Sequence, residues 1–150
     1  MKMKKRSKRL EPVATHAKRQ EEEAAKILAE AQQRVTDSEQ QLQQLESFRD
    51  EYLQKYKSAG QQPGSVSLLL DYQAFLAKIN QGIGQANQTI KLCCQQRDVL
   101  KQQWLQRKTR TQALESVVEK YQHHESRQES HREQLEMDEF CRHRFQHRLN

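Results

Sequence analysis

Apolar residues recur along the chain at alternating spacings of four and three, in two long stretches. The first row is Leu10, Ala14, Ala17, Glu21, Ala24, Leu28, Ala31, Val35, Ser38, Leu42, Leu45, Arg49, Tyr52 and Tyr56. Eleven of its fourteen positions are Ala, Val, Leu or Tyr. The second row is Leu69, Tyr72, Leu76, Ile79, Ile83, Ala86, Ile90, Cys93, Arg97, Leu100, Trp104, Arg107, Thr111, Leu114, Val118 and Tyr121, of which thirteen of sixteen are apolar. A 3.5-residue period held this long without a phase slip predicts two helices wound into a left-handed supercoil.

Between the rows lies Ser58-Ala59-Gly60-Gln61-Gln62-Pro63-Gly64-Ser65, a Gly/Pro cluster that marks a reversal. A short link favours antiparallel neighbours. The expected fold is therefore all-α: a long two-helix antiparallel coiled-coil hairpin forming a single domain. Its parts are a basic tail at 1–9, a first helix at 10–57, a turn at 58–67, a paired second helix at 68–121 and an unpaired C-terminal overhang at 122–150. Folding about residue 62 pairs positions whose numbers add to about 124, which sets Leu45 opposite Ile79. Ser65 or Ser67 is suited to cap the second helix, and Pro12 to occupy the first turn of the first one. Past Tyr121 the row fills with Glu125, Gln128, Arg132, Leu135, Glu139 and Arg142, so the overhang should be poorly ordered alone.

Composition agrees with a narrow seam and not a thick core. Hydrophobic residues are 34% and charged residues 31% of 150, with only 4 Gly and 2 Pro. That mixture favours long helices, and the periodicity separates it from disorder, the other outcome for so polar a chain. No run approaches the ~18 apolar residues of a membrane span, and no apolar stretch follows the basic start as a secretory signal requires. Cys93 and Cys94 are adjacent and Cys141 is distant, a spacing that suits reduced thiols better than a disulfide framework.

The net charge of +6 is local. Lys2, Lys4, Lys5, Arg6, Lys8 and Arg9 crowd the first nine residues without an acid, and the remaining basic and acidic residues balance at 20 each. Such a tail suits nucleic-acid phosphates, an anionic membrane or an acidic protein surface. It lacks interleaved aromatics that would stack on bases. Five histidines (123, 124, 131, 143, 147) fall in the overhang. His143 and His147 share a helical face near Cys141, a pair able to chelate a metal but lacking fixed further ligands; a solvated helix is the plainer reading, with a response to pH open. No glycine phosphate loop, HExxH or pocket-forming fold is present, so no enzyme and no cofactor are expected.

Two aromatics, Phe48 and Phe75, lie beside the rows rather than on them. In the expected register they fall at nearly the same height. With Gln41, Leu45, Tyr52, Ile79 and Gly82 they form a patch near the turn that a two-helix hairpin cannot cover. Such a surface reads as a docking site, or as lateral packing against neighbouring helices.

Three segments resemble the FliJ family of flagellar export proteins: Glu39-Gln-Gln-Leu-Gln-Gln-Leu-Glu-Ser-Phe-Arg-Asp-Glu-Tyr52, Asp71-Tyr-Gln-Ala-Phe-Leu76 and Met137-Asp-Glu-Phe140. Their order, spacing and chain length match as well, so the resemblance spans essentially the whole chain. It implies a non-catalytic part of the bacterial flagellar type III export apparatus, needed for flagellar assembly and motility. The expected location is the cytoplasm, peripheral at the inner face of the cell membrane. The implied partners are the export ATPase FliI and its regulator FliH, the export gate protein FlhA, and export chaperones. The family's gate-binding surface maps onto Gln41, Leu45, Phe48 and Tyr52, and onto Phe75, Ile79, Gly82 and Ala86; Ala86 stands where a larger polar residue is common. By analogy with the shaft of rotary ATPases, the free helix ends would face the ATPase, with Lys4, Lys5, Arg6, Lys8 and Arg9 as its contacts. Alternatives are the equivalent stalk of a virulence type III secretion system and a basic coiled coil that binds nucleic acid.

Overall fold

The computed structural model describes residues 5–149. Lys4 and the rest of the first four residues lie outside the described residues. Two helices, α1 (Arg6–Gly60) and α2 (Val66–Leu149), pack against each other in an all-α hairpin, and no strand is present among the described residues. The chain divides into two compact units: Ala24–Trp104, which holds the turn, and Met1–Glu23 with Leu105–Asn150, which holds both chain ends.

In the unit that holds the turn, the periodic positions carry the core. Ala31, Val35, Leu76 and Ile79 are buried, and Leu28, Leu42, Leu45, Ile83, Ile90 and Leu100 are half-buried. Half-burial is what a two-helix seam can reach, because each side chain has neighbours on one side and water on the other. Ala17, Thr111 and Val118 are buried in the unit that holds the chain ends. Arg107 is the exception: it is exposed, donates to the Gln20 side chain at 2.9 Å, and leaves the inner place to half-buried Lys108.

The reversal is tighter than the turn chemistry alone suggests. α1 continues past residue 57 to Gly60, and α2 starts at Val66, so only 61–65 turn. Gly64 supplies the single left-handed residue found among those described, at φ 85°. Ser65 sits at the head of α2 and its carbonyl accepts the Leu69 N–H at 3.0 Å. Its hydroxyl, however, does not cap α2. Its single proton is shared backwards, between the Ala59 carbonyl at 2.6 Å, which also accepts the Gln62 N–H at 3.2 Å, and the Gln62 carbonyl at 2.9 Å in the turn. The shorter turn also moves the register. Contacts at Leu45–Gly82 and at Tyr52–Phe75 join residues whose numbers add to 127, three above the sum set by a reversal about residue 62.

At the chain ends the first helix starts earlier than residue 10, at Arg6, and Pro12 becomes an interior residue. An interior proline removes one helical hydrogen bond and costs ~3 kcal/mol. Contacts from α2 hold the turn that precedes it. Ser7 is 4% exposed; its N–H donates to Glu125 Oε1 at 3.2 Å and its hydroxyl to Glu125 Oε2 at 2.6 Å. The first turn of α1 contains no acid of its own. Glu125 therefore caps it from the other helix, placing a carboxylate at the positive end of the helix dipole. Lys5 Nζ lies 3.7 Å from Glu129, and the Arg6 guanidinium 5.8 Å from the centre of the Tyr121 ring. Pairing thus continues past Tyr121 through polar contacts, and the exposed part of α2 begins at residue 126.

Candidate functional site, an aromatic patch beside the turn

On a helix turning ~100° per residue, positions i, i+4, i+7 and i+11 fall within an arc of about 60°. Gln41, Leu45, Phe48 and Tyr52 have that spacing on α1, and Phe75, Ile79, Gly82 and Ala86 have it on α2. Both rows belong to the unit Ala24–Trp104. The Tyr52 ring bridges them: its centroid lies 4.4 Å from that of Phe75 and 6.1 Å from that of Tyr72, both tilted. Lys55 Nζ stands 4.9 Å from the Tyr52 centroid, and the Gln73 amide donates to the Tyr56 hydroxyl at 3.0 Å. The pair Tyr52–Phe75 is a fixed platform, since tilted rings at this separation attract beyond their buried area.

The eight positions do not share one environment. Phe48 is 52% exposed and Phe75 43% exposed. Gln41 is exposed, and Leu45, Tyr52, Gly82 and Ala86 are half-buried. Ile79 is only 7% exposed and belongs to the seam. Phe48 edges a shallow groove on α1 lined by Gln40, Gln43, Gln44, Ser47 and Glu51. The side chains around it there come from its own helix. Gly82 lies against Leu45: a Cβ built on it would stand 3.8 Å and 3.9 Å from the Leu45 methyls, which is ordinary contact.

Three exposed apolar residues at the start of α2, Val66, Leu68 and Leu70, extend the apolar surface near the turn and were not singled out by periodicity. The signal was present in Leu68-Leu69-Leu70, because a seam can take only the middle one of three consecutive leucines. Tyr72 and Lys55 were likewise missed as partners of Tyr52.

The basic residues of the N-terminus separate into two kinds. All four are exposed, but Lys5 and Arg6 reach Glu129 and the Tyr121 ring, whereas Lys8 and Arg9 form no ion pair among the described residues. The Glu125 carboxyl is held below the usual carboxylate range, chiefly by the Ser7 hydroxyl, with the Ser7 N–H, Lys5 and His124 adding to it. The His143 and His147 rings lie 6.1 Å apart. Among the described residues no group of three or more His, Cys, Asp or Glu is arranged to hold a metal ion.

A family model described as flagellar FliJ protein matches residues 6–150. The chain belongs to the FliJ family. The flagellar FliJ protein of Escherichia coli K12 is 26% identical over 125 residues, which cover 83% of this chain and 85% of the relative. No solved structure matches the chain. FliJ family membership makes the protein a component of flagellar protein export. No described helix is long and apolar enough to cross a membrane.

Proposed function

We propose that this FliJ-family chain is a non-catalytic stalk of the flagellar export machinery, binding the export ATPase FliI and docking on the gate protein FlhA. FliH and export chaperones are further partners in this reading, and the working place is the cytoplasmic face of the membrane, without insertion. The observation that supports gate docking is the ring platform of Tyr52 and Phe75 together with exposed Phe48 and the small residue Gly82. Rigid aromatic anchors beside a low steric profile are what interface hot spots use. The exposed cations Lys8 and Arg9 support an acidic surface as the partner at the chain ends.

Such a stalk performs work through contacts alone. It presents different residues to each chemically similar subunit of a ring, and so biases ring assembly or nucleotide turnover without touching the nucleotide. The test is a pull-down with the purified ATPase and the cytoplasmic domain of the gate, each offered separately. Retention of both supports the reading; retention of neither rejects it.

A further inference from the structure

Residues 126–149 of α2 are exposed throughout, including Leu135, Met137, Phe140, Phe145 and Leu149. Phe140 keeps 64% of its surface in water, and Met137, Phe145 and Leu149 keep more. Charge in this segment is divided by position. Residues 129–139 contain five acids (Glu129, Glu133, Glu136, Asp138, Glu139) and one arginine, whereas 142–148 contain Arg142, Arg144 and Arg148, two histidines and no acid. Among the described residues 130–149 a single ion pair forms, Arg132–Glu136 at 3.8 Å, so the basic half has no ionic partner there.

We propose that this segment pairs with the same segment of a second copy, antiparallel, about a two-fold axis at Phe140. Glu133, Met137, Phe140, Arg144 and His147 repeat at spacings of four and three, the spacing of a coiled-coil seam. Inverting one copy about Phe140 sets Glu136 opposite Arg144 and Glu133 opposite His147 and Arg148. Met137 then lies against the aliphatic stem of Arg144, and Phe140 against Phe140. A two-fold axis makes each of these three acid–base contacts twice. Complementarity selects this occupant. An acidic partner would satisfy only the basic half and a basic partner only the acidic half. The inverted segment carries both signs in the required order and at the required spacing.

The experiment is analytical ultracentrifugation of the full chain in reducing buffer, over two decades of concentration. The wild type forms a dimer that weakens as salt rises, because these pairs are screened. The double variants Glu133→Arg with Glu136→Arg, and Arg144→Glu with Arg148→Glu, each lose at least tenfold in dimerisation while circular dichroism stays helical. Mixing the two variants in equal amounts restores a dimer, since each then meets opposite charge. A monomer at every concentration overturns the proposal. So does a dimer that survives both reversals, or a mixture that stays monomeric, because a failure specific to one helix cannot be rescued by the other chain.

Discussion

Truncating Phe48 removes twice the carbons that truncating Ile79 does, at a neighbouring height of the hairpin, yet it should cost the fold several-fold less. Ile79 is 7% exposed in the seam. Buried Ile→Ala changes cost about 2–5 kcal/mol, and a seam without a third layer lets neighbours relax, which places the cost near 2–3 kcal/mol. At the few degrees per kcal/mol usual for chains of this size, Tm falls by roughly 4–12 °C. Phe48 is 52% exposed, and the groove beside it is lined by residues of α1 itself. Those neighbours stay with the helix after truncation, and Ala is the better helix former by ~0.5 kcal/mol. The net cost of Phe48→Ala is therefore below about 1 kcal/mol. Phe75→Ala falls between them, because it loses the Tyr52 ring at 4.4 Å, a pair worth ~0.5–1.5 kcal/mol. Thermal melts followed by circular dichroism rank the three variants. A Phe48 variant that melts with the Ile79 variant would refute the argument, since Phe48 would then be part of the core.

Gly82→Ala and Gly84→Ala should both raise stability by ~1 kcal/mol in urea titrations, because a Cβ at Gly82 makes ordinary contact and one at Gly84 meets nothing within 4 Å. Only the Gly82 change should weaken gate binding, and equal effects on binding would remove Gly82 from the docking surface. Glu125 has a depressed folded-state pKa, so its contribution is present above its unfolded value, ~4.3, and is lost as pH falls through the folded value. The protection of the amides at residues 6–11, taken relative to their intrinsic exchange at each pH, should then be steady near neutrality and fall in acid; Glu125→Gln should flatten that dependence, and an unchanged profile would deny the cap. Reversing Lys8 and Arg9 to Glu should weaken ATPase association and reduce its salt dependence; loss of DNA binding with ATPase binding intact would favour nucleic acid as the partner.

Most of the fold could be read from one property, the alternation of four and three. None of the fourteen row positions in α1 is exposed, and in α2 only Arg107 is. Periodicity reports which face turns inward, and it does so because burial is repeated at every turn of the helix. It does not report where the chain reverses, and with the turn at 61–65 the contacts Leu45–Gly82 and Tyr52–Phe75 add to 127 and not to 124. The cap of Ser7 by Glu125 was invisible for a different reason. The two residues are 118 apart, and a polar contact between helices leaves no local pattern in either. Pro12 misled for the same cause, since support from α2 lets α1 start before it. At the patch, off-row aromatics marked Phe48 and Phe75 correctly as exposed, whereas Ile79, itself a row residue, is in the core.

Calorimetric titration of the FlhA cytoplasmic domain with the wild type and with Phe48→Ala tests the docking claim most directly. Phe48 contributes little to folding, so a change in affinity reports the interface and not the fold. A hot-spot aromatic costs more than ~2 kcal/mol on truncation, close to thirtyfold in Kd. The account predicts that the wild type binds and that the variant, equally helical, binds at least thirtyfold more weakly. Equal affinity for the two proteins would contradict it.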